Sequence, residues 1–140
     1  MKRPSLLRRT KVLPFGDAEA AKGAVTILRK SGVKAIGVRD GDQPELDAEK
    51  IYRLPGSIAP EKLVFLSDQG KAELLKSYEF DLDQRLTAHP ETNHHDYSRE
   101  AAKVTGSSRE VLEADCIRAF LQAQPDDWGA TLVERIEAEA

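Results

Sequence analysis

The stretch Val33–Asp42, VKAIGVRDGD, decides the expected fold of this chain. Its first six residues form a nearly continuous apolar run rich in β-branched side chains, which is typical of a strand buried on both faces. Asp40-Gly41-Asp42 follows directly, so two carboxylates stand where the strand ends. In open parallel sheets, ligands bind at the edge formed by the carboxyl ends of the strands. The stretch therefore predicts a buried strand followed at once by a candidate ligand site.

The residues before this strand predict a helix and an earlier strand. Ala18–Lys30 carries apolar residues at helical spacing, with Asp17 as a suitable N-cap and Ser31-Gly32 as a suitable end. Lys11–Phe15 (KVLPF) predicts a short first strand, at a sheet edge or a strand end because its proline lacks an N–H. Strand, helix and strand in this order form a βαβ unit, which implies a parallel pair.

Beyond the Asp-Gly-Asp segment, the pattern changes from α/β to helical near residue 67. Ile51–Leu54 predicts a third short strand, and Pro60 suits the first position of a helix. Three later helices are predicted from their N-terminal signals, which are a cap at Asp68, a capping box of Ser107 and Glu110, and a cap at Asp126. Two more are predicted over Phe80–Leu86 and over Tyr97–Val104, the second ending at Gly106. We expect a basic leader over 1–10, an α/β core over 11–66, and a helical part over 67–140 that packs on the core.

Composition indicates a folded protein and excludes several classes. A chain of 140 residues, 40% of them hydrophobic, suffices for one domain with a core. No apolar run approaches the roughly 18 residues of a membrane helix, and no apolar segment follows the N-terminal basic residues as in a secretory signal. The single cysteine, Cys116, excludes a disulfide within the chain. We interpret the protein as cytoplasmic, with no membrane contact.

The charge distribution separates the leader from the rest of the chain. Net charge is −3, yet residues 1–11 hold five basic residues and no acid, namely Lys2, Arg3, Arg8, Arg9 and Lys11. The acidic remainder argues against broad nucleic-acid binding, which depends on neutralising phosphates. The leader has two interpretations: contact with a phosphate backbone, or a solvated, poorly ordered terminus.

Three carboxylates are predicted to face one crevice. Asp40 and Asp42 lie two apart on an extended backbone, so their side chains point the same way, and Glu19 begins the preceding helix at the same sheet edge. Mg²⁺ prefers oxygen ligands from one or two carboxylates and keeps waters or substrate phosphates for the rest. The alternative is a plain turn, because Asp and Gly are favoured in turns.

The order of these segments resembles the Toprim domain of topoisomerases, primases and nucleases of the overcoming-lysogenization-defect (OLD) family. The first motif of that domain is Glu-Gly-x-x-Glu or Glu-Gly-x-x-Asp, and here it reads Phe15–Glu19 (FGDAE). The second motif reads Val38–Asp42 (VRDGD). Three further segments resemble parts of ATPases with an OLD-like Toprim domain: Leu54–Gly56 (LPG), Pro60–Lys62 (PEK) and Asn93–Tyr97 (NHHDY). The resemblance spans most of residues 11 to 135.

This resemblance implies both a fold and an activity. The fold would be a small Toprim-like parallel sheet with flanking helices, followed by a helical part. Glu19, Asp40 and Asp42 would hold Mg²⁺ or Mn²⁺ for two-metal hydrolysis of DNA phosphodiesters, with Lys62 near a phosphate or leaving oxygen. DNA and an ATPase domain or subunit would be partners, since the chain lacks a Gly-rich Lys-Ser/Thr phosphate loop, and a homo-oligomer is an open alternative. Such systems often serve in defence against phage and other foreign DNA.

Phe15 departs from the family pattern. The glutamate at that place is credited with acid–base or metal work, which a phenylalanine cannot do. The rival interpretation is therefore an inactive Toprim relic that acts as a structural or partner-binding domain. A receiver-like phosphoacceptor module is disfavoured, because the acids follow the second predicted strand and do not end the first.

His94 and His95 suggest a zinc site. Adjacent residues on a helix lie about 100° apart, so we expect the two imidazoles not to share one ion. A structural or capping role is favoured for them. Cys116 and Trp128 are predicted to pack in the core.

Overall fold

The structure is a computed structural model that describes residues 4–139. Its helices, in chain order, are α1 (Pro4–Arg9), α2 (Ala18–Lys30), α3 (Pro60–Phe65), α4 (Asp68–Tyr78), α5 (Leu82–Ala88), α6 (Tyr97–Thr105), α7 (Arg109–Gln122) and α8 (Ala130–Glu139). The strands are β1 (Gly37–Arg39) and β2 (Ile51–Arg53), and 3₁₀ turns cover Asp47–Glu49 and His94–Asp96. Within residues 4–139, no helix is long and apolar enough to cross a membrane.

The chain divides into two compact units. The α/β unit comprises Met1–Ile58 and Asp126–Ala140, and the helical unit comprises Ala59–Pro125. Thus α8 belongs with the strands, and α3 belongs with the helices, whereas the predicted division fell between residues 66 and 67. The packing of the helical part on the α/β core stays a prediction. Of the predicted leader, Lys2 and Arg3 lie outside the described residues, and α1 covers Pro4–Arg9.

The sheet is a parallel pair, which confirms a small parallel sheet in a mixed α/β chain. β1 lies beside β2 with Gly37 opposite Ile51 and Arg39 opposite Arg53. A Cβ on Gly37 would lie 2.6 Å from Cδ1 of Ile51 and 3.3 Å from Cγ2 of Val25, a residue of α2. Glycine at this position therefore lets α2 approach the sheet closely.

The first predicted strand is wrong. Residues 11–15 form no strand, and Val12, Leu13 and Phe15 are exposed. A strand needs a hydrogen-bonded neighbour and gains stability from a buried face, and this segment has neither a ladder partner nor buried side chains. The expected βαβ unit is therefore not formed. The parallel pair joins the second and third predicted strands instead.

The second predicted strand is shorter and less buried than its sequence indicates. Only Gly37–Arg39 pairs, so residues 33–36 stay outside the ladder. Val33 and Val38 are both exposed, and the prediction of burial on two faces is wrong. Among the described residues, β1 is paired on one edge only, with β2.

Helix α2 confirms its predicted bounds and caps. Oδ1 of Asp17 accepts a hydrogen bond from the backbone N–H of Ala20 at 2.7 Å. Ser31 ends the helix, and Gly32 follows with φ of +81°, a conformation that glycine adopts readily. These signals are local, so the sequence alone was sufficient to predict them.

Helix α8 is tied to the α/β unit by charged contacts. Glu139 accepts a hydrogen bond from Arg29 at 2.8 Å and forms an ion pair with Lys50 at 3.0 Å. Arg135 donates to both carboxylate oxygens of Glu45 at 2.7 Å. The predicted cap at Asp126 is wrong, because the helix begins only at Ala130. The preceding glycine, at position 129, has φ of +78° and so interrupts any earlier helical turn.

The helical unit has a core between α4 and α7. Leu74, Leu112 and Cys116 are fully buried in it. The caps lie one residue from the predicted positions: Ser67 accepts from Gly70 N at 3.0 Å, and Ser108 accepts from Val111 N at 3.4 Å. The predicted caps at Asp68 and Ser107 are corrected accordingly. Gly106 ends α6 with φ of +68°, as predicted.

Candidate metal sites

The Asp-Gly-Asp turn lies at the carboxyl ends of both strands. Gly41 is buried, and a Cβ on it would lie 2.8 Å from the carbonyl oxygen of Ile58 and 3.0 Å from that of Leu54. The backbone N–H of Leu54 donates to the carbonyl of Arg39 at 2.9 Å, which continues the ladder past the strands. The segment after β2 thus packs directly on the turn after β1. Only glycine allows this approach of one backbone to another.

Asp40 and Asp42 are both exposed on this turn. The backbone N–H of Gln43 donates to the carbonyl of Asp40 at 3.1 Å and closes the turn. Oδ1 of Asp42 accepts a hydrogen bond from the side-chain amide of Gln43 at 3.3 Å. Both carboxylates are therefore in contact with solvent, the surroundings in which a hydrated divalent ion would meet them.

Glu19 lies in the first turn of α2 and is exposed. A cleft of about 1000 Å³ in the α/β unit is lined by Asp40 and Phe15, whereas Glu19 and Asp42 are not among its lining residues. Within residues 4–139, the group whose three ligand atoms approach within 4.8 Å of one another is a different one, described below. The three predicted ligands therefore do not form a compact cluster, and their shared metal site stays a prediction.

Phe15 lies at the cleft with 48% of its surface exposed. Because residues 11–15 form no strand, the ring does not end one, and it is not buried against the sheet. The family's glutamate has no counterpart at this position. Lys62 is exposed on α3 in the helical unit, and its assigned role rests on the resemblance alone.

Three side chains of the helical unit converge in a way that the sequence did not predict. Glu61, His94 and His95 each offer one ligand atom, and these atoms lie within 4.8 Å of one another. Nδ1 of His95 lies 3.0 Å from Oε1 of Glu61. The two imidazole rings have centroids 4.0 Å apart and planes tilted by 39°. Three potential ligands of a transition metal thus occupy one small volume.

The expectation that His94 and His95 do not share one ion considered only the angle between successive helical residues, whereas their rings lie close together. His94 and His95 open a 3₁₀ turn, where Oδ1 of Asn93 accepts from the N–H of His95 at 3.0 Å. The capping signal of Asn93 was visible in the sequence, but nothing there linked these residues to Glu61, more than thirty positions earlier.

The carboxylate of Glu61 is incompletely satisfied. Its Oε1 contacts His95, whereas its Oε2 is buried and has no hydrogen-bond partner within the described part of the chain. A buried carboxylate oxygen without a donor is unfavourable and calls for an explanation. Asp96, the residue after His95, differs from Glu61 because its carboxylate has a partner: it forms an ion pair with Arg99 at 2.8 Å.

No protein-family model matches the chain, and neither a curated protein nor a solved structure matches it. The likeness to Toprim domains therefore depends on the motifs quoted above. Function must be argued from the geometry of the sites, since a fold alone supports many functions.

Proposed function

We propose that the α/β unit is a Toprim-like module that binds Mg²⁺ or Mn²⁺ and belongs to an OLD-type ATPase system acting on DNA. The observation that carries the proposal is the exposed Asp40-Gly41-Asp42 turn at the carboxyl end of a parallel strand pair. Gly41 packs against the carbonyl oxygens of Leu54 and Ile58 with no room for a Cβ, so the turn lies directly on the segment after β2. Rigid support of this kind favours a functional turn over an incidental one.

The donor set fits a hard divalent cation. Asp40 and Asp42 offer carboxylate oxygens, and Mg²⁺ is commonly bound through one or two carboxylates with water or phosphate oxygens in the other positions. When bound, such an ion supplies charge neutralisation and an activated water for phosphodiester hydrolysis. The role of the two aspartates is to hold it where a phosphate can approach from solvent. Glu19 and Lys62 keep the roles that the resemblance implies.

Hydrolysis is expected to be slow or absent, because Phe15 removes one acid. A two-metal site needs acids on both sides of the scissile phosphate, and the turn provides them on one side. Phe15 also adds apolar surface to the cleft that Asp40 lines. We therefore expect weak metal binding and impaired cleavage by the chain as it stands.

A titration of the full chain with Mn²⁺ or Mg²⁺ tests the binding. Calorimetry should detect weak binding, and the Asp40→Ala/Asp42→Ala double variant should abolish the binding of Mg²⁺, the ion that prefers oxygen ligands alone. Asp47→Ala is the matched control, because Asp47 is an exposed acid of the same unit on another turn. An identical curve for the wild type and the double variant would contradict the proposal.

Plasmid nicking in Mn²⁺ is the second readout of the same site. The wild type should nick slowly or not at all, and Phe15→Glu should strengthen metal binding and increase nicking. Because the ring is half exposed, this change should cost less than the roughly 3–5 kcal/mol typical of a buried phenylalanine. Robust nicking by the wild type that Asp40→Ala abolishes would show that the site works without the missing glutamate.

The second candidate function is a relic that binds a partner, and one observation favours it. Val12, Leu13 and Phe15 are exposed on a segment that also lines the cleft, and Val33 and Val38 are exposed around the same cleft. Clustered apolar surface of this kind marks interaction sites in folded proteins. A chain inert in both the titration and the nicking experiment, including the Phe15→Glu variant, would support this function instead.

A further inference from the structure

We propose that Glu61, His94 and His95 form a binding site for a first-row transition metal, with Zn²⁺ as the representative ion. The site lies wholly within the helical unit and is independent of the Asp-Gly-Asp turn. Its basis is the convergence of three ligand atoms within 4.8 Å of one another. A carboxylate with two imidazoles is a donor set that zinc uses in enzymes.

The first step of the argument concerns distance. Metal–ligand bonds of about 2.0–2.1 Å place tetrahedral ligand atoms about 3.3 Å apart. Nδ1 of His95 and Oε1 of Glu61, at 3.0 Å, are already near that spacing. The ring of His94 lies beside that of His95, and its ligand nitrogen is within 4.8 Å of the other two ligand atoms.

The second step concerns charge. Glu61 has a buried oxygen with no donor, and a cation bound beside it would neutralise the carboxylate. Lys62, the cation next in sequence, is exposed, and Arg99 is paired with Asp96. Neither of these two cations therefore serves as an ion-pair partner of Glu61. A metal ion held jointly with the two imidazoles would neutralise this carboxylate.

The third step concerns the type of metal. Imidazole nitrogens favour zinc, copper, nickel, cobalt and iron, whereas Mg²⁺ and Ca²⁺ favour oxygen ligands only. Three protein ligands also leave at least one coordination position for water or another small ligand. Since 60% of the His95 side chain is exposed, that position would face solvent. The site is thus distinguished from the predicted Mg²⁺ site by both its ligands and its metal.

The chain offers a matched control for each part of the site. His89 is the third histidine, and its Nδ1 lies 3.5 Å from Glu91, outside the cluster. His89→Gln therefore removes one imidazole without touching the proposed site. The Asp40→Ala/Asp42→Ala variant controls for the other predicted metal site. Because His95 is exposed and His94 and Glu61 are only partly buried, the site variants should fold, and circular dichroism would verify this.

The experiment is a titration of the full chain with Zn²⁺ by calorimetry, and with Co²⁺ by visible absorption. The most tightly bound ion should occupy this site, with tetrahedral-type Co²⁺ absorption that Zn²⁺ displaces. Glu61→Gln, His94→Gln and His95→Gln should each weaken binding by more than about tenfold, and both control variants should bind as the wild type does. Imidazole NMR resonances of His94 and His95 should shift, while those of His89 should not.

Three outcomes would overturn the proposal. They are no binding by the wild type, unchanged binding by Glu61→Gln, and an equal loss on His89→Gln. The second and third would indicate adventitious binding by exposed histidines. Each result is independent of the aspartate turn, so failure here leaves the proposed function standing, and the reverse also holds.

Discussion

At the scale of single residues, the most informative polar contact in the helical unit joins Tyr78 and Asp115. The hydroxyl of Tyr78 donates to Oδ2 of Asp115 at 2.7 Å. This hydrogen bond, with burial, raises the pKa of Tyr78 to about 12. The same bond lowers the pKa of Asp115. The pair therefore favours a protonated phenol and an ionised carboxylate in the folded state.

The effect of Tyr78→Phe on stability should depend on pH at both extremes. The contribution of the Tyr78 hydroxyl to the free energy of unfolding is fully present below the unfolded pKa of tyrosine, about 10. It is lost as pH rises through the folded pKa of about 12. The contribution of the Asp115 carboxylate to the free energy of unfolding is present above the unfolded pKa of aspartate, about 3.9. It is lost as pH falls through the pKa of Asp115 in the folded protein, which is lower. Urea unfolding of wild type and Tyr78→Phe should thus show a constant stability difference between about pH 5 and 9 that shrinks outside this range.

Asp115→Asn and the double variant complete the test, because they separate the pair from other effects of each side chain. The double variant should show no further loss beyond the larger single loss. A stability difference between wild type and Tyr78→Phe that is the same from acid to alkaline pH would refute the linkage.

At the scale of elements, the backbones of α3 and α4 approach each other closely. A Cβ on Gly70 in α4 would lie 2.0 Å from the carbonyl oxygen of Val64 in α3. Backbone atoms cannot move aside as a flexible side chain can. Glycine is generally unfavourable inside a helix, so its presence here is explained by packing rather than by propensity.

Gly70→Ala should therefore destabilise the protein by more than about 3 kcal/mol, although alanine is the better helix former. Gly23→Ala is the matched control, because Gly23 also lies in a helix but has nothing within 4 Å of an added Cβ. It should stabilise the protein by about 0.5–1 kcal/mol. Denaturant unfolding of both variants measures the difference. Equal effects would show that the approach of α4 to α3 is not tight.

Elements with local signals were predictable, and elements with distant partners were not. The ends of α2 and α6 depend on Asp17, Gly32 and Gly106, which act within a turn of the chain. The segment at Lys11–Phe15 has strand-like composition, but a strand forms only beside a partner, and composition does not reveal whether one is present. The site at Glu61 and His95 was missed for the same reason, since it joins residues 34 positions apart.

At the scale of the whole molecule, the α/β unit is built from both ends of the chain. The helix near the C-terminus contributes Arg135, whose guanidinium lies 4.7 Å from the centre of the Tyr52 ring and also binds Glu45. These contacts join residues about 90 positions apart. A fragment cut at residue 67 would lack α8, and we expect it to expose apolar surface and aggregate. This closure could not be predicted from the sequence, because the charges of α8 also suit a solvated surface.

The chain has one cysteine and one tryptophan, and they fall in different units. Burial raises the pKa of the Cys116 thiol to about 12, so a disulfide reagent should label it only when the helical unit opens. Trp128 is half-buried in the α/β unit, and its fluorescence should report unfolding there. The native sequence thus carries two built-in reporters, one for each unit.

If the helical part packs on the α/β core, as the sequence predicts, both reporters should give the same urea midpoint. Two separated midpoints would instead mean that each unit melts by itself. In that case the rate of Cys116 labelling would report the opening of the helical unit alone, and it could be measured in the unmodified protein. Added Zn²⁺ should then slow the labelling of Cys116 and leave the tryptophan transition unchanged, because its proposed ligands lie in the unit that the thiol reports on.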